Sequence, residues 1–85
     1  MSTIVQRVID CTPAWQAASA LPEEIASVDV LALPTNSAAV EFLGDTGQAV
    51  PWQPGEWHAF PRINLATLKV RGQQGDRITV VGGAW

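Results

Sequence analysis

Apolar and polar residues alternate along most of this chain with a period of two. In residues 3–10, Val5, Arg7 and Ile9 fall on one face and Ile4, Val8 and Asp10 on the other. In residues 25–33, Ala26, Val28, Val30 and Ala32 share a face; Ser27 and Asp29 oppose them, joined further on by Leu31 and Leu33. In residues 39–43, Val40 and Phe42 point one way and Glu41 the other. Leu68 and Val70 alternate with Lys69 and Arg71, and Ile78 and Val80 with Arg77 and Thr79. This is the period of half-buried β-strands. A further strand is predicted over residues 57–60.

Turn signals separate these runs. Prolines at 13, 22, 34, 51, 54 and 61, together with the glycines, cut the chain into pieces of about ten residues. Pro34-Thr35-Asn36-Ser37 and Gly44-Asp45-Thr46-Gly47 read as turns, and Pro54-Gly55 favours a type II turn. Residues 13–21 read as a loop or single turn, because their helical composition is short and flanked by proline. Gly72-Gln73-Gln74-Gly75 reads as the turn of a closing hairpin. The expected fold is all-β: a small antiparallel β-sandwich or barrel, jelly-roll-like, of about six to eight short strands. One domain, residues 1–85, is expected.

Composition sharpens this in one respect. A chain of 85 residues buries somewhat over roughly 60% of its unfolded surface, so its core is thin. The lone Cys11 excludes an internal disulfide, and with the lone His58 it cannot close a structural zinc site of nitrogen and sulfur ligands. Association with other copies is the remaining source of stability. Charged residues make up only 15% of the chain, against about 25% in an average globular protein, which points to surface covered by a partner. The net charge of −3, without a cluster of Lys or Arg, argues against nucleic-acid binding. No apolar run approaches the roughly 18 residues of a membrane span. Met1–Arg7 lacks the basic and apolar blocks of a signal peptide, so synthesis in a cytoplasm is expected.

Candidate chemistry is sparse. His58 lies between Trp57 and Phe60 with no nucleophile or orienting group in a motif around it, so a structural role is expected. Nothing local lowers the pKa of Cys11, and Asp10 beside it raises it, so Cys11 reads as a small buried residue. Asp45 and Asp76 sit beside glycines, where a carboxylate commonly bonds its own turn backbone, and neither segment resembles a calcium loop. The glycines at 72 and 75 precede a strand and imply no phosphate cradle. No catalytic residue, metal or cofactor is expected. Trp52 and Trp57 flank Gln53-Pro54-Gly55-Glu56; they pack in the core or an interface, or else form a sugar platform. Trp85 follows Gly82-Gly83-Ala84 and reads as an apolar anchor on a flexible tether.

The order of elements from Ala38 to Val81 resembles small virion proteins of tailed bacteriophages. A short strand ends in a glycine turn, Ala39-Val40-Glu41-Phe42-Leu43-Gly44, and Pro54-Gly55-Glu56 introduces an aliphatic strand. A segment Asn-Leu-x-x-Leu-x-Val-x-Gly, here 64–72, is closed by Gly-Asp-x-Ile-x-Val, here 75–80. The resemblance covers about half the chain. The additional tryptophans and Pro61 depart from it. It implies a compact β-sandwich without catalytic residues, acting as a capsid decoration (cement) protein or in fibre, neck or tail structures.

The expected function is therefore that of a non-enzymatic virion protein on the capsid surface. It would be assembled in the host cytoplasm as a homo-oligomer, by preference a trimer, and contact the major capsid protein or another virion protein. The alternative is a carbohydrate- or receptor-binding module of a tail or fibre, using Trp52 and Trp57. A small cupin-type enzyme is disfavoured because such metal sites take several histidines. Interface candidates are Ile4, Val5, Trp52, Trp57 and Trp85. The first strand is expected to pair with a sheet edge, its own or a neighbour's, and removal of residues 82–85 to leave the domain folded.

Overall fold

Alternation is carried into the structure most plainly in Ile25–Ala32, where Ala26, Val28, Val30 and Ala32 are all buried and the residues between them are not. The structure is a computed structural model and describes residues 3–85, so the first two residues of the segment read for a signal peptide lie outside it. Its strands are β1 (Ile4–Asp10), β2 (Gln16–Ala17), β3 (Ile25–Ala32), β4 (Val40–Leu43), β5 (Ala49–Trp52), β6 (Trp57–Asn64), β7 (Lys69–Arg71) and β8 (Arg77–Ala84).

The strands form two four-stranded sheets, ordered β1-β8-β3-β6 and β2-β7-β4-β5. Every pairing is antiparallel. β1 lies beside β8, β2 beside β7, β3 beside β6 and β4 beside β5, as in one long hairpin rolled up on itself. This is the jelly-roll arrangement, in which two sheets enclose one core. Val5, Val28, Val30, Ile78 and Val80 of the first sheet face Val40, Phe42, Trp52 and Val70 of the second. The Trp52 ring spans the gap, 3.9 Å from the Phe42 centroid and 6.2 Å from that of Phe60 in the opposite sheet.

Several turns follow the sequence. Gly55 has φ +89°, and the Glu56 amide donates to the Gln53 carbonyl at 2.9 Å, the geometry of a type II turn. Gly47, at φ +92°, closes the β4–β5 hairpin. Pro51 and Pro61 lie in strands, but both strands are at sheet edges, where a missing N–H is tolerated.

Other elements differ from expectation. The segment around Gly72–Gly75 is a crossover and not a hairpin turn, because β7 belongs to one sheet and β8 to the other. β8 finds full-length partners on both sides, in β1 and β3, whereas β7 is only three residues long and flanks β4. The expected flexible tether is strand: Gly82, Gly83 and Ala84 pair with β3 as the end of an inner strand. β1 is the partner on the other side, so the expected edge pairing is made within the chain. Loop 13–21 contains the short β2. Leu65–Thr67 forms a 3-10 turn, capped by the Asn64 side chain, whose Oδ1 accepts from the Ala66 and Glu24 amides at 3.0 Å each.

Candidate functional site: an open apolar face

The outer side of the β1-β8-β3-β6 sheet is assembled from the alternate residues that the core does not use. The strand registers place Val8, Thr79, Leu31 and Trp57 in one row across it, and Gln6, Val81, Asp29 and Ala59 in the next. Ile4, Gly83 and Ser27 form a third row, with Trp85 beside it. Ile4 is 75% exposed, Trp57 60% and Trp85 68%, and Val8 and Val81 are also exposed. An outward-facing strand position is ordinarily polar. Here most are apolar, and the one charge in the central rows is Asp29. A shallow hollow of about 310 Å³ lies between Asp29, Leu31, Trp57, Thr79 and Val81.

Both ends of the face are bounded by polar groups. At one end the Arg77 guanidinium meets the Asp10 carboxylate at 3.0 Å. At the other, Trp85 is fixed in place. Its indole N–H donates to Ser27 Oγ at 2.8 Å, and its backbone amide donates to the Ile25 carbonyl at 2.8 Å. The Arg62 guanidinium lies 4.9 Å from its ring centroid. Arg62 itself has φ +46°, at a bulge where β6 carries an extra residue between the pairs Ala26–Ile63 and Val28–Phe60. Its amide donates to the same Ser27 hydroxyl oxygen at 2.9 Å.

The opposite sheet presents a different exterior. Arg71 pairs with Glu41 at 2.7 Å and lies over the Trp15 ring at 4.4 Å, with Lys69 exposed on the same strand. Leu43 and Pro51 are exposed there as well, so that exterior mixes charged and apolar positions.

The interface candidates divide accordingly. Ile4, Trp57 and Trp85 lie on the open face. Val5 and Trp52 do not: at 3% and 5% exposure they are core residues and are unavailable to a partner. Trp52 and Trp57 therefore form no joint sugar platform. Trp52 ends β5 with its side chain inward beside Phe42, while Trp57 begins β6 in the other sheet and points out. Val8, Leu31 and Val81 were not among the interface candidates; their signal was an apolar residue at an outward position of an alternating strand.

Among the described residues the remaining titratable groups form no reactive constellation. His58 Nε2 lies 2.7 Å from Glu56 Oε2, and its ring meets the edge of Trp52 at 4.7 Å. Bonding to His58, with the Gln53 amide behind it, holds the Glu56 carboxyl below the ordinary range. Cys11 is buried, and burial first, then Asp76 and Asp10, pushes its thiol pKa up, away from nucleophilic character. Asp76 does not bond its own turn. It is buried and accepts from the Ser37 amide at 2.8 Å, the Ser37 hydroxyl at 3.1 Å and the Ala38 amide at 3.3 Å, in the β3–β4 loop. Among the described residues no three His, Cys, Asp or Glu side chains are grouped to hold a metal, and no helix is long and apolar enough to cross a membrane. Comparison of the chain with known protein families, curated proteins and solved structures gives no match.

Proposed function

We propose that this chain is a non-enzymatic structural protein of a tailed-phage virion, assembled in the host cytoplasm and seated on the capsid surface as a homo-oligomer. The observation that carries this reading is the open apolar face, with Ile4, Val8, Trp57, Val81 and Trp85 exposed together on one sheet. A contiguous apolar surface of this kind marks a contact with another macromolecule, and large aromatic residues are the usual anchors of such contacts. The jelly roll recurs in viral capsid proteins, lectins and cupins, an analogy of fold that does not select among them. The test is peptide mass spectrometry of particles purified from the virus whose genome encodes the chain, followed by rebinding of the protein to stripped particles. Stoichiometric presence and rebinding that weakens at least tenfold in Trp57→Ala are expected. Absence from particles would refute the reading.

A second reading is kept by one observation. Trp57 is exposed beside the Asp29 carboxylate and the Thr79 hydroxyl, a flat apolar ring next to hydrogen-bonding groups. That combination suits a sugar ring, and with it a receptor- or carbohydrate-binding module of a tail or fibre. Binding to a glycan panel, abolished in Asp29→Ala, would favour it over the capsid seat.

A further inference from the structure

We propose that two copies of this chain join edge to edge through β1, antiparallel, with Gln6 on the two-fold axis. This names the contact of the homo-oligomer proposed above, as a dimer in place of the trimer expected from the sequence, and rests on that part of the reading.

β1 is an end strand of its sheet, paired among the described residues only with β8. The Ala84 amide donates to the Thr3 carbonyl and the Cys11 amide to the Asp76 carbonyl, each at 2.8 Å. Bonded pairs alternate along an antiparallel ladder. Thr3, Val5, Arg7, Ile9 and Cys11 therefore face β8, and Ile4, Gln6, Val8 and Asp10 turn their amides and carbonyls to the free edge.

An open edge invites pairing, and proteins ordinarily blunt it with shortness, proline, bulges or charge. The other three edges here are blunted. β2 has two residues; β5 has four, one of them Pro51; β6 carries Pro61 and the bulge at Arg62. β1 has seven residues and neither proline nor bulge. Its one inward charge, Arg7, is taken up by a two-pronged bond to Glu24 at 2.8 and 2.9 Å.

The register follows from what is already occupied. The Asp10 carbonyl accepts from the Gln16 side-chain amide at 2.5 Å, which closes that end of the edge. Ile4, Gln6 and Val8 remain. With Gln6 opposite Gln6 of the second copy, Ile4 falls opposite Val8 in both directions, and every pair presents its free amides and carbonyls to the other. Cross-strand pairs of this kind stabilise a sheet. Centring on Arg7 would set Ile4 against Asp10 and bring the two Arg7 residues together. Centring on Val8 would set Gln6 against Asp10. In the favoured register the two sheets become one of eight strands, and their apolar outer faces become continuous through Ile4 and Val8. The partner strand is a second copy because this edge is complementary to itself.

Light scattering on gel-filtered protein at hundreds of micromolar is expected to give twice the chain mass of 9.1 kDa. Gln6→Pro removes the central edge amide, which faces away from β8, and is expected to lose the dimer while keeping a cooperative melt. Gln6→Cys is the positive test: mild oxidation is expected to link two chains, since bonded pairs lie within reach of a disulfide. Cys11, being buried, does not compete. Asp45→Cys, in the distant β4–β5 turn, is expected to stay single-chain. A wild-type mass of one or three copies, or a folded Gln6→Cys protein that does not link, overturns the proposal. A dimer that ignores virus particles refutes the capsid seat and leaves this contact standing.

Discussion

The buried carboxylate of Asp76 takes both the amide and the hydroxyl of Ser37, at 2.8 and 3.1 Å, and so ties the β7–β8 crossover to the β3–β4 loop. The two segments are far apart in sequence, and the Ala38 amide adds a third donor at 3.3 Å. Hydrogen bonds to a charged group each contribute about 1.5–3 kcal/mol, and an orphaned buried donor is costly. Asp76→Asn keeps the shape but sets an amide group among donors. It is expected to lower stability by about 2–3 kcal/mol, and Ser37→Ala by about 1 kcal/mol. Urea unfolding would show a shifted midpoint at constant slope. An Asp76→Asn protein with the wild-type midpoint would show that the network contributes nothing.

Two adjacent glycines are expected to respond in opposite ways. A Cβ on Gly82 would lie 1.9 Å from the Ser27 carbonyl oxygen and 2.8 Å from Val28 Cα, because the β3 backbone lies directly against it. A Cβ on Gly83 would meet nothing within 4 Å. Gly82→Ala is expected to cost about 3 kcal/mol or to prevent folding, and Gly83→Ala to change stability by about 0.5 kcal/mol or less. Thermal melts followed by circular dichroism distinguish them. Equal melting temperatures would mean the strands separate at little cost.

The same contrast shows what was legible in the sequence. Alternation is a local property, so the inward sets Val5-Arg7-Ile9, Ala26-Val28-Val30-Ala32 and Val40-Phe42 follow from it directly. Which strand lies beside which is not local. Nothing in Leu68–Val81 by itself says that its two strands part company into different sheets, or that Gly82–Ala84 is needed between two neighbours. Trp52 and Trp57 make the point within six residues: both are large and apolar, and only the change of sheet between them buries one and exposes the other. Three members of the open face, Ile4, Trp57 and Trp85, stood out as apolar residues at strand ends. Leu31 and Val81 did not, because within a strand their exposure depends on the absence of a second layer outside the sheet.

Acid is expected to weaken the fold through Glu24. The Arg7 guanidinium first, then a hydrogen bond from Ser19, hold its carboxyl below the ordinary range. In the unfolded chain it reverts to an ordinary glutamate, near about 4.3. The unfolded state then binds the proton more readily, so the contribution is complete above that value and is lost as pH falls through the lower, folded pKa. Urea midpoints are expected to fall below about pH 4.3 more steeply in wild type than in Glu24→Gln, the two curves converging in acid. Parallel curves would mean that the ion pair adds nothing to folding.

Ser27 offers one hydroxyl oxygen to two donors, the Arg62 amide and the Trp85 indole, and this sets the expected behaviour of the chain's last residues. Deleting residues 82–85 removes the end of an inner strand from between β1 and β3, so that truncation is expected to unfold the domain and not merely to weaken its assembly. Trp85→Ala is different. It leaves the ladder intact and loses one hydrogen bond and the contact with Arg62, a cost of about 1–2 kcal/mol. Ser27→Ala takes the acceptor from both donors at once, one of them on a left-handed backbone, and is expected to cost a similar amount. Four indole N–H groups are present, and only that of Trp85 bonds to Ser27. In a nitrogen–proton correlation spectrum, Ser27→Ala should therefore displace most strongly the indole resonance that Trp85→Ala removes. If that resonance stays in place, Trp85 is not anchored by Ser27. Its exposed ring would then have to be ordered by whatever covers the face, at an entropic cost that the fixed indole avoids.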